Sequence, residues 1–328
     1  MKKFKCSIKL IYEYDNIGNQ KENEYSFDDY TFSVPNDIII TISEGFHVVI
    51  DNVICNNRDE AIIVIGSILL NICKTLTLII QISSKEYDKL HSNISFDNTH
   101  LNLIECPDIP ETIVSKNYSS NKVYHIRDNV GFSDNVFLKK IHSLSFKYFN
   151  TLFHHPKGDR VDILKDVLYR AFRCRDVQSK FFTLFTMIEY IETEMLDSIE
   201  TSKLLTEDQV DKVMVCVQNL DYKDNGIKNR VISRVGDIVK SATLESRADK
   251  LCYIIKKNYG INKISESLIN IDIEPKKMNE FIEYRNSLFH GKTLKKAENL
   301  EETEINKNYN LTNELLFLCL EIIKIESK

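Results

Sequence analysis

The stretch KFFTLFTMIEYIE, at residues 180–192, decides the fold of the second half of the chain. Its apolar residues recur three and four positions apart and are Phe181, Leu184, Phe185, Ile188, Ile191 and, just beyond the stretch, Met195. This spacing places them on one face of an α-helix that buries this face against neighbouring elements. We therefore predict a helix over residues 177–196.

The segments around this helix have the same pattern. They are separated by short polar breaks and lie at residues 161–175, 207–220, 227–242, 245–258, 276–290 and 308–325. Successive helices with short connections are typical of a helical bundle. The sequence HHPKG at residues 154–158 interrupts the pattern and favours a domain boundary there. We therefore predict an all-α domain over residues 156–328.

The first half of the chain is predicted to be rich in β-strands. Apolar and polar residues alternate there with a period of two and are interrupted by turn-forming residues. The candidate strands lie at residues 3–14, 31–34, 38–42 and 47–54, and are followed by a loop-rich section at 100–118 and a helix at 133–149. We predict an α+β protein, with a β-rich sensing or docking domain over residues 1–155.

One apolar stretch, at residues 61–82, is long enough to cross a bilayer. However, Lys74 lies in its middle, and a central lysine costs about 3 kcal/mol on insertion scales. We predict a buried helix over residues 59–73 and a strand over 75–82, both in the core of a soluble domain. We therefore expect no contact with a membrane.

The composition limits the classes of function. The 328 residues include 43 Lys and Arg against 48 Asp and Glu, for a formal net charge of −5, which excludes a broadly basic protein that coats nucleic acid. The eight cysteines are scattered, with no pair at zinc-site spacing. We expect reduced cysteines in a cytoplasmic protein, with no metal and no cofactor.

Candidate catalytic side chains occur in EPKKMNEFIEYRNSLFHGK at residues 274–292. Pro275 suits the first turn of a helix, and Gly291 suits the position after its end. Arg285 falls within an apolar stripe whose members are Met278, Phe281, Ile282, Leu288 and Phe289. A guanidinium there is costly unless a carboxylate, a phosphate or a solvent-filled cleft receives it.

The residues next to Arg285 extend this candidate site. Asn286 and His290 are four residues apart, so they share an adjoining face of the helix. The three side chains suit metal-independent cleavage of an RNA phosphodiester, because histidine transfers protons and arginine offsets the charge that develops on the phosphate. A histidine that caps the helix and an arginine that extends into solvent would give the same residues.

Two patterns resemble a known family. RNSLFHG, at residues 285–291, resembles the R-N-x-x-x-H-G signature of the HEPN superfamily, a small α-bundle found in many prokaryotic toxin and defence ribonucleases. The stretch at 180–192 is similar to the first-helix pattern of the Apea-like HEPN group, and the segment at 308–325 fits the last helix of that bundle. The resemblance covers residues 156–328.

The resemblance implies a metal-independent endoribonuclease, with tRNA among its candidate substrates, that acts in antiphage defence or abortive infection. It implies a homodimer through the HEPN domain, in which two motifs form one cleft. Arg285 would hold the phosphate, His290 would be the acid and base, and Asn286 would orient them. Glu189 would pair with Arg285 on the first helix of the bundle, either at the site or as a plain structural ion pair. The alternative function is a non-catalytic HEPN module that binds a nucleotide or a protein and regulates another process.

Other basic residues are candidates for binding RNA around this site. Lys292 occupies the place of a tyrosine that is typical of HEPN toxins neutralised by AMP transfer, so that form of control is not expected here. Arg170, Arg173 and Arg175 form the densest basic patch, with aromatic residues between them. A solvated helix end would explain the same charges. An antitoxin or a phage-derived protein is a further candidate partner.

Overall fold

The computed structural model describes most of the chain as two compact units. The described residues are 1–14, 23–83, 92–106, 140–143, 146, 149–154, 159–195, 202–266, 269–289 and 302–328. The first unit comprises Met1–Arg173 with Ser327–Lys328, and the second comprises Cys174–Glu326. An N-terminal antiparallel sheet is followed by a helical region, which confirms the predicted α+β class.

The first unit is built on a five-stranded antiparallel sheet with the strand order β4-β5-β6-β1-β8. Strand β2 pairs with β7, and β3 pairs in parallel with β9. The elements of this unit are β1 (Lys2–Lys9), β2 (Ile11–Tyr14), β3 (Asn23–Ser26), β4 (Tyr30–Val34), β5 (Ile38–Ser43), β6 (His47–Cys55), α1 (Arg58–Ser83), β7 (Ser92–Ser95), β8 (Asn102–Cys106), β9 (Lys140–Ser143), α2 (Phe149–Phe153) and α3 (Asp159–Arg173).

Most predicted strands of this unit are confirmed. The segments at 31–34, 38–42 and 47–54 form β4, β5 and β6, and the segment at 3–14 is divided into β1 and β2. Strand β8 lies within the section predicted as loop, because its buried side is limited to one residue, Leu103, which leaves little alternation to detect. The predicted helix at 133–149 is wrong at 140–143, where β9 lies, and residues 133–139 are outside the described residues.

A β-bulge in β6 changes which residues face the core. Phe4 pairs with Val53, whereas Cys6 pairs with Ile50, so β6 has one residue more than β1 at this point. Asn52 takes up the extra length with a φ of 64°, a conformation that asparagine tolerates better than most residues. The bulge therefore shifts the buried alternation of β6 by one residue.

Helix α1 runs without interruption through the stretch that was predicted to change into a strand at residue 75. That prediction is wrong because Leu76, Ile79 and Ile80 are buried as part of a helix, and a short apolar run has no period that separates helix from strand. By length and composition the helix over 58–82 could cross a membrane, since its most apolar 18-residue window has a mean hydropathy of 2.2, and half of that window is buried. Lys74 forms an ion pair with Asp166 of α3. α1 therefore packs in the first unit against the sheet and the helices α2 and α3.

Helix α3 belongs to the first unit because it packs against α1. Lys165 is fully buried in α3, and its ammonium group donates to Asn71 Oδ1 at 2.7 Å and to the Leu152 carbonyl at 2.9 Å. Asp162 Oδ1 lies 2.8 Å from the same nitrogen. The compact unit thus ends after α3, whereas the predicted boundary between residues 155 and 156 lies before it.

The second unit is a helical bundle with one small hairpin. Helix α4 packs against α9, α8 and α7, and α7 packs against α8. The elements are α4 (Val177–Met195), α5 (Glu207–Gln218), α6 (Asn225–Ser241), α7 (Arg247–Tyr259), β10 (Lys263–Glu266), β11 (Ile269–Asp272), α8 (Pro275–Phe289) and α9 (Glu302–Glu326). The predicted helices are confirmed, most of them within two residues at each end, although α9 begins at Glu302, well before the predicted start at 308. The antiparallel β10–β11 hairpin was not predicted in this half.

Candidate functional site

The candidate site lies at the C-terminal end of α8. Met278, Phe281 and Ile282 are buried as predicted, but Phe289 is 64 % exposed, so the apolar stripe does not continue to the end of the helix. Tyr284 is buried instead, and its ring packs edge-on against Phe181 of α4. Position 285 therefore lies at the border between the core and the surface.

Arg285 forms an ion pair with Glu189 of α4. Its Nη2 lies 3.0 Å from Glu189 Oε1, and the two side chains are 21 % and 28 % exposed. The guanidinium carbon is 5.8 Å from the ring centre of Phe182 and 5.1 Å from that of Phe289. The guanidinium is thus in contact with one carboxylate and two aromatic rings. The side chain is fixed where α4 and α8 meet.

A second arginine, which the sequence did not indicate, joins this ion pair. Arg247 Nη2 lies 3.3 Å from the same Oε1 of Glu189. Glu192 holds Arg247 more closely, with 3.0 Å from Nε to each carboxylate oxygen and 2.6 Å from Nη2 to Oε2. Hydrogen bonding to the Glu192 carboxylate raises the pKa of Arg247 further above its usual range. Glu192 was in the quoted stretch, one helical turn after Glu189, but its partner lies 55 residues away.

The network of Glu189, Glu192, Arg247 and Arg285 is electrically balanced. Two carboxylates face two guanidinium groups, so a phosphate that binds here has to compete with a carboxylate for an arginine. Glu189 bonds both arginines through one oxygen, so it links α4 to both α7 and α8. The arrangement combines a structural ion pair with a pre-formed orientation of Arg285.

The hydrogen-bonding groups of Arg285 are only partly used. Nη1 donates to Asn286 Oδ1 over 3.4 Å, which is a long hydrogen bond. Nε is buried, and no hydrogen-bond partner for it occurs in the part of the chain that the structure describes. Five N–H groups are available on a guanidinium, so Arg285 keeps donors for one more acceptor, such as a phosphate oxygen. Asn286 is half-buried beside it.

His290 and Lys292 are outside the described residues. Helix α8 ends at Phe289, directly before His290 in the chain. The structure thus locates three of the four predicted catalytic residues, and it brings Arg285, Asn286 and Glu189 together.

The other predicted basic residues are exposed. Arg170 and Arg173 lie at the end of α3 in the first unit, and Arg175 belongs to the second unit. Tyr169 and Phe172 are buried, and the Tyr169 hydroxyl donates to the Ile94 carbonyl at 2.9 Å. These two rings are core residues and do not offer a surface for stacking of bases.

The described residues contain no group of three or more His, Cys, Asp or Glu side chains that could hold a metal ion. Comparison of the chain with protein-family models, curated proteins and solved structures gives no match. The resemblance to the HEPN superfamily therefore stays a prediction that rests on the two sequence patterns.

Proposed function

We propose that the chain is a metal-independent endoribonuclease that acts through Arg285, Asn286 and His290. The observation that carries the proposal is the fixed position of Arg285, held by Glu189 and with hydrogen-bond donors left for an acceptor. His290 follows this arginine by five residues in the chain, and α8 ends at Phe289, directly before it. A phosphate-binding group and a proton-transfer group are thus close in the chain.

The proposed reaction needs no nucleophile from the protein, because RNA supplies its own 2′-hydroxyl group. His290 takes the proton from this hydroxyl, and the 2′-oxygen attacks the neighbouring phosphorus atom. The bond from phosphorus to the 5′-oxygen breaks, which leaves a 2′,3′-cyclic phosphate, and the departing 5′-oxygen takes the proton that His290 had accepted, which restores the neutral imidazole. Arg285 offsets the negative charge that grows on the phosphate oxygens, and Asn286 orients the arginine.

The proposed cellular role comes from the family resemblance. The chain acts in the cytoplasm as an effector of antiphage defence or abortive infection, as a homodimer in which two motifs form one cleft. A formal net charge of −5 suits an enzyme that contacts RNA at one compact site, since broad contact with the backbone needs clustered basic residues.

The ion pair also favours a second candidate function. Glu189 already pairs with the guanidinium of Arg285, and the network of two carboxylates and two guanidinium groups carries no net charge. A structural arginine of this kind fits a HEPN module that binds a nucleotide or a protein without cleaving RNA. The two functions differ in whether loss of Arg285 abolishes catalysis or only weakens the fold.

An RNA cleavage assay separates them. Total RNA or tRNA is incubated with wild type, His290→Ala and Arg285→Ala, with EDTA present throughout. We expect cleavage by the wild type and a loss of at least about 100-fold in each variant, as is typical for a general acid–base group. His100→Ala, at an exposed histidine of the first unit, is the matched control. Unchanged cleavage in both variants, or no cleavage by the wild type, would contradict the enzyme hypothesis.

A further inference from the structure

Arg247 is the most exposed member of the charged network at the candidate site. It is the first residue of α7, and its side chain is 37 % exposed. The side chains of Glu189, Arg285 and Glu192 are 28 %, 21 % and 15 % exposed. Of the two guanidinium groups, that of Arg247 is therefore the more accessible to a molecule from solvent.

The guanidinium of Arg247 is fixed in place by charged and aromatic contacts. Its Nε and Nη2 donate to the carboxylate of Glu192, and Nη2 also donates to Glu189. Its carbon atom lies over the buried ring of Phe185, 5.7 Å from the ring centre. These contacts remove rotamer freedom from a long side chain, so little entropy remains to be lost when an anion binds.

One nitrogen of this guanidinium is left over. Nη1 of Arg247 carries two N–H groups and makes no hydrogen bond to another residue in the part of the chain that the structure describes. A guanidinium has five N–H donors in a rigid fork, and only those of Nε and Nη2 face the carboxylates. Arg247 thus keeps donors for an acceptor on another molecule, as Arg285 does.

Arg247 and Arg285 are close enough to contact the same nucleic-acid strand. Glu189 Oε1 lies 3.3 Å from Nη2 of Arg247 and 3.0 Å from Nη2 of Arg285, so these two nitrogens are no farther apart than the sum, about 6.3 Å. A strand carries one phosphate per nucleotide, at an axial spacing of about 3.4 Å in a stacked helix and a larger spacing in an extended strand. Two guanidinium groups at this separation match the phosphates of neighbouring nucleotides.

Glu189 favours contact with two separate phosphates over one shared phosphate. Its carboxylate oxygen lies between the two guanidinium groups and would repel a phosphate at the same place. The remaining donors are different atoms, namely Nη1 of Arg247 and, on Arg285, Nε and the weakly bonded Nη1. A shared phosphate has to displace Glu189, whereas two phosphates use the donors that Glu189 leaves free.

We propose that Arg247 binds the phosphate next to the scissile phosphate, while Arg285 binds the scissile phosphate itself. This proposal rests on the proposed ribonuclease function and adds a requirement for the substrate, which is two consecutive charged phosphates. The contact is remote from the bond that breaks, so it stabilises the bound substrate and the transition state alike. Loss of Arg247 is therefore expected to raise KM more than it lowers kcat.

Two oligonucleotides of equal charge test whether consecutive phosphates are recognised. Both are fluorescent random-sequence 2′-deoxy nonanucleotides, which have no 2′-hydroxyl for the cleavage reaction. In both, four of the eight phosphates are replaced by neutral methylphosphonates. The charged phosphates alternate with neutral ones in the first and are consecutive in the second. By fluorescence anisotropy, we expect the wild type to bind the consecutive oligonucleotide at least about fivefold more tightly, because it alone engages both arginines.

The double variant Arg247→Gln with Glu192→Gln tests the residue itself. It removes one positive and one negative charge, so the network around Arg285 stays electrically balanced. We expect it to bind the two oligonucleotides with equal Kd. The slope of log Kd against log salt concentration for the consecutive oligonucleotide is expected to fall by about 0.7, the value of one phosphate contact in a single strand. A fraction of unfolded protein affects both Kd values equally and leaves their ratio unchanged.

Lys256→Gln is the matched control, at an exposed lysine of the same helix. It lies nine residues after Arg247, on the opposite side of α7, and is expected to keep the preference of the wild type. Circular dichroism verifies that each variant is folded. A wild type that binds neither oligonucleotide or shows no preference would overturn the proposal, and so would a double variant that keeps the preference.

Cleavage of RNA is measured in parallel, so that the two proposals fail separately. A wild type that cleaves RNA but shows no preference for consecutive phosphates disproves the role of Arg247 and leaves the ribonuclease function in place. A preference that depends on Arg247 without any cleavage of RNA disproves the ribonuclease function, whereas binding of consecutive phosphates by the two arginines stands. With cleavage present, the double variant is expected to have a KM at least about fivefold higher than the wild type, with a smaller change in kcat.

Discussion

Glu189 and Arg285 form an ion pair between α4 and α8, with 3.0 Å from Oε1 to Nη2, and the same carboxylate oxygen also bonds Arg247 at 3.3 Å. One acidic side chain therefore connects three helices of the second unit. This carboxylate has two possible roles. It stabilises the contacts between the helices, and it fixes the orientation of Arg285.

Replacement of Glu189 by glutamine tests both roles. Glu189→Gln removes the negative charge between two arginines while it keeps the shape of the side chain. We expect a loss of about 1 kcal/mol in the free energy of unfolding, since partly exposed ion pairs contribute modestly. We also expect slower cleavage of RNA, because Arg285 is no longer oriented. Urea denaturation and the cleavage assay measure the two effects.

Glu194→Gln is the matched control, at an exposed glutamate of the same helix. It removes the same charge without touching either arginine, so both its stability and its cleavage rate are expected to equal those of the wild type. If Glu189→Gln lowers stability and leaves cleavage unchanged, the ion pair is purely structural.

Most of the fold was open to prediction because the core patterns are regular. In α4 the residues Phe181, Leu184 and Ile188 recur at helical spacing and are buried. Helix α1 shows where such patterns fail. Its residues after position 74 are apolar and β-branched and nearly all buried, so they carry no period, and only the contacts with the sheet and α3 decide in favour of a helix.

The candidate site was predictable in part for a similar reason. Arg285 and Asn286 lie in one local motif, and Glu189 stands out in a regular helix. Arg247 did not stand out, because its partner Glu192 is 55 residues away and nothing in the local sequence indicates the pairing. Phe289 was expected to be buried from its spacing, but the helix ends there and its ring contacts the guanidinium at the surface.

Asn313 of α9 has a buried side chain whose amide nitrogen and oxygen both have no hydrogen-bond partner in the described part of the chain. A buried amide in this state costs about 1–3 kcal/mol. Asn313→Leu removes both polar atoms at a similar volume, so we expect unfolding in urea to need a higher concentration. Asn306→Leu, at an exposed position of the same helix, is expected to change stability little. A destabilised Asn313→Leu protein would indicate that the amide has a partner in solution.

Two glycines are expected to respond in opposite directions to the same substitution. Gly260 caps α7 with a φ of 66°, where an alanine costs about 1–2 kcal/mol in backbone strain. Gly66 lies inside α1, and an added Cβ meets no atom within 4 Å. Gly66→Ala is therefore expected to stabilise by about 0.5–1 kcal/mol through helix propensity. Thermal unfolding measures both, and a change of the same sign in the two variants would contradict the assigned backbone conformations.

Lys165 of α3 makes stability depend on pH. Burial lowers the pKa of its ammonium group below the usual 10.5, although Asp162 opposes the shift. Just below pH 10.5 the unfolded lysine therefore keeps a proton that the folded lysine has lost, so the unfolded state binds more protons and a rise in pH favours the folded state. Relative to Lys165→Met, the wild type is expected to gain stability as the pH rises toward 10.5.

Urea denaturation over that pH range measures the free energy of unfolding of wild type and of Lys165→Met. The difference between these two free energies removes the contributions of the titratable groups that the two proteins share. Lys165→Met also leaves the acceptors Asn71 Oδ1 and the Leu152 carbonyl without their donor. We therefore expect the variant to be less stable by about 1–3 kcal/mol even at neutral pH. Lys9→Met, at an exposed lysine of β1, is the control. A stability difference that stays constant or shrinks as the pH rises would contradict a lowered pKa of Lys165 in the folded protein.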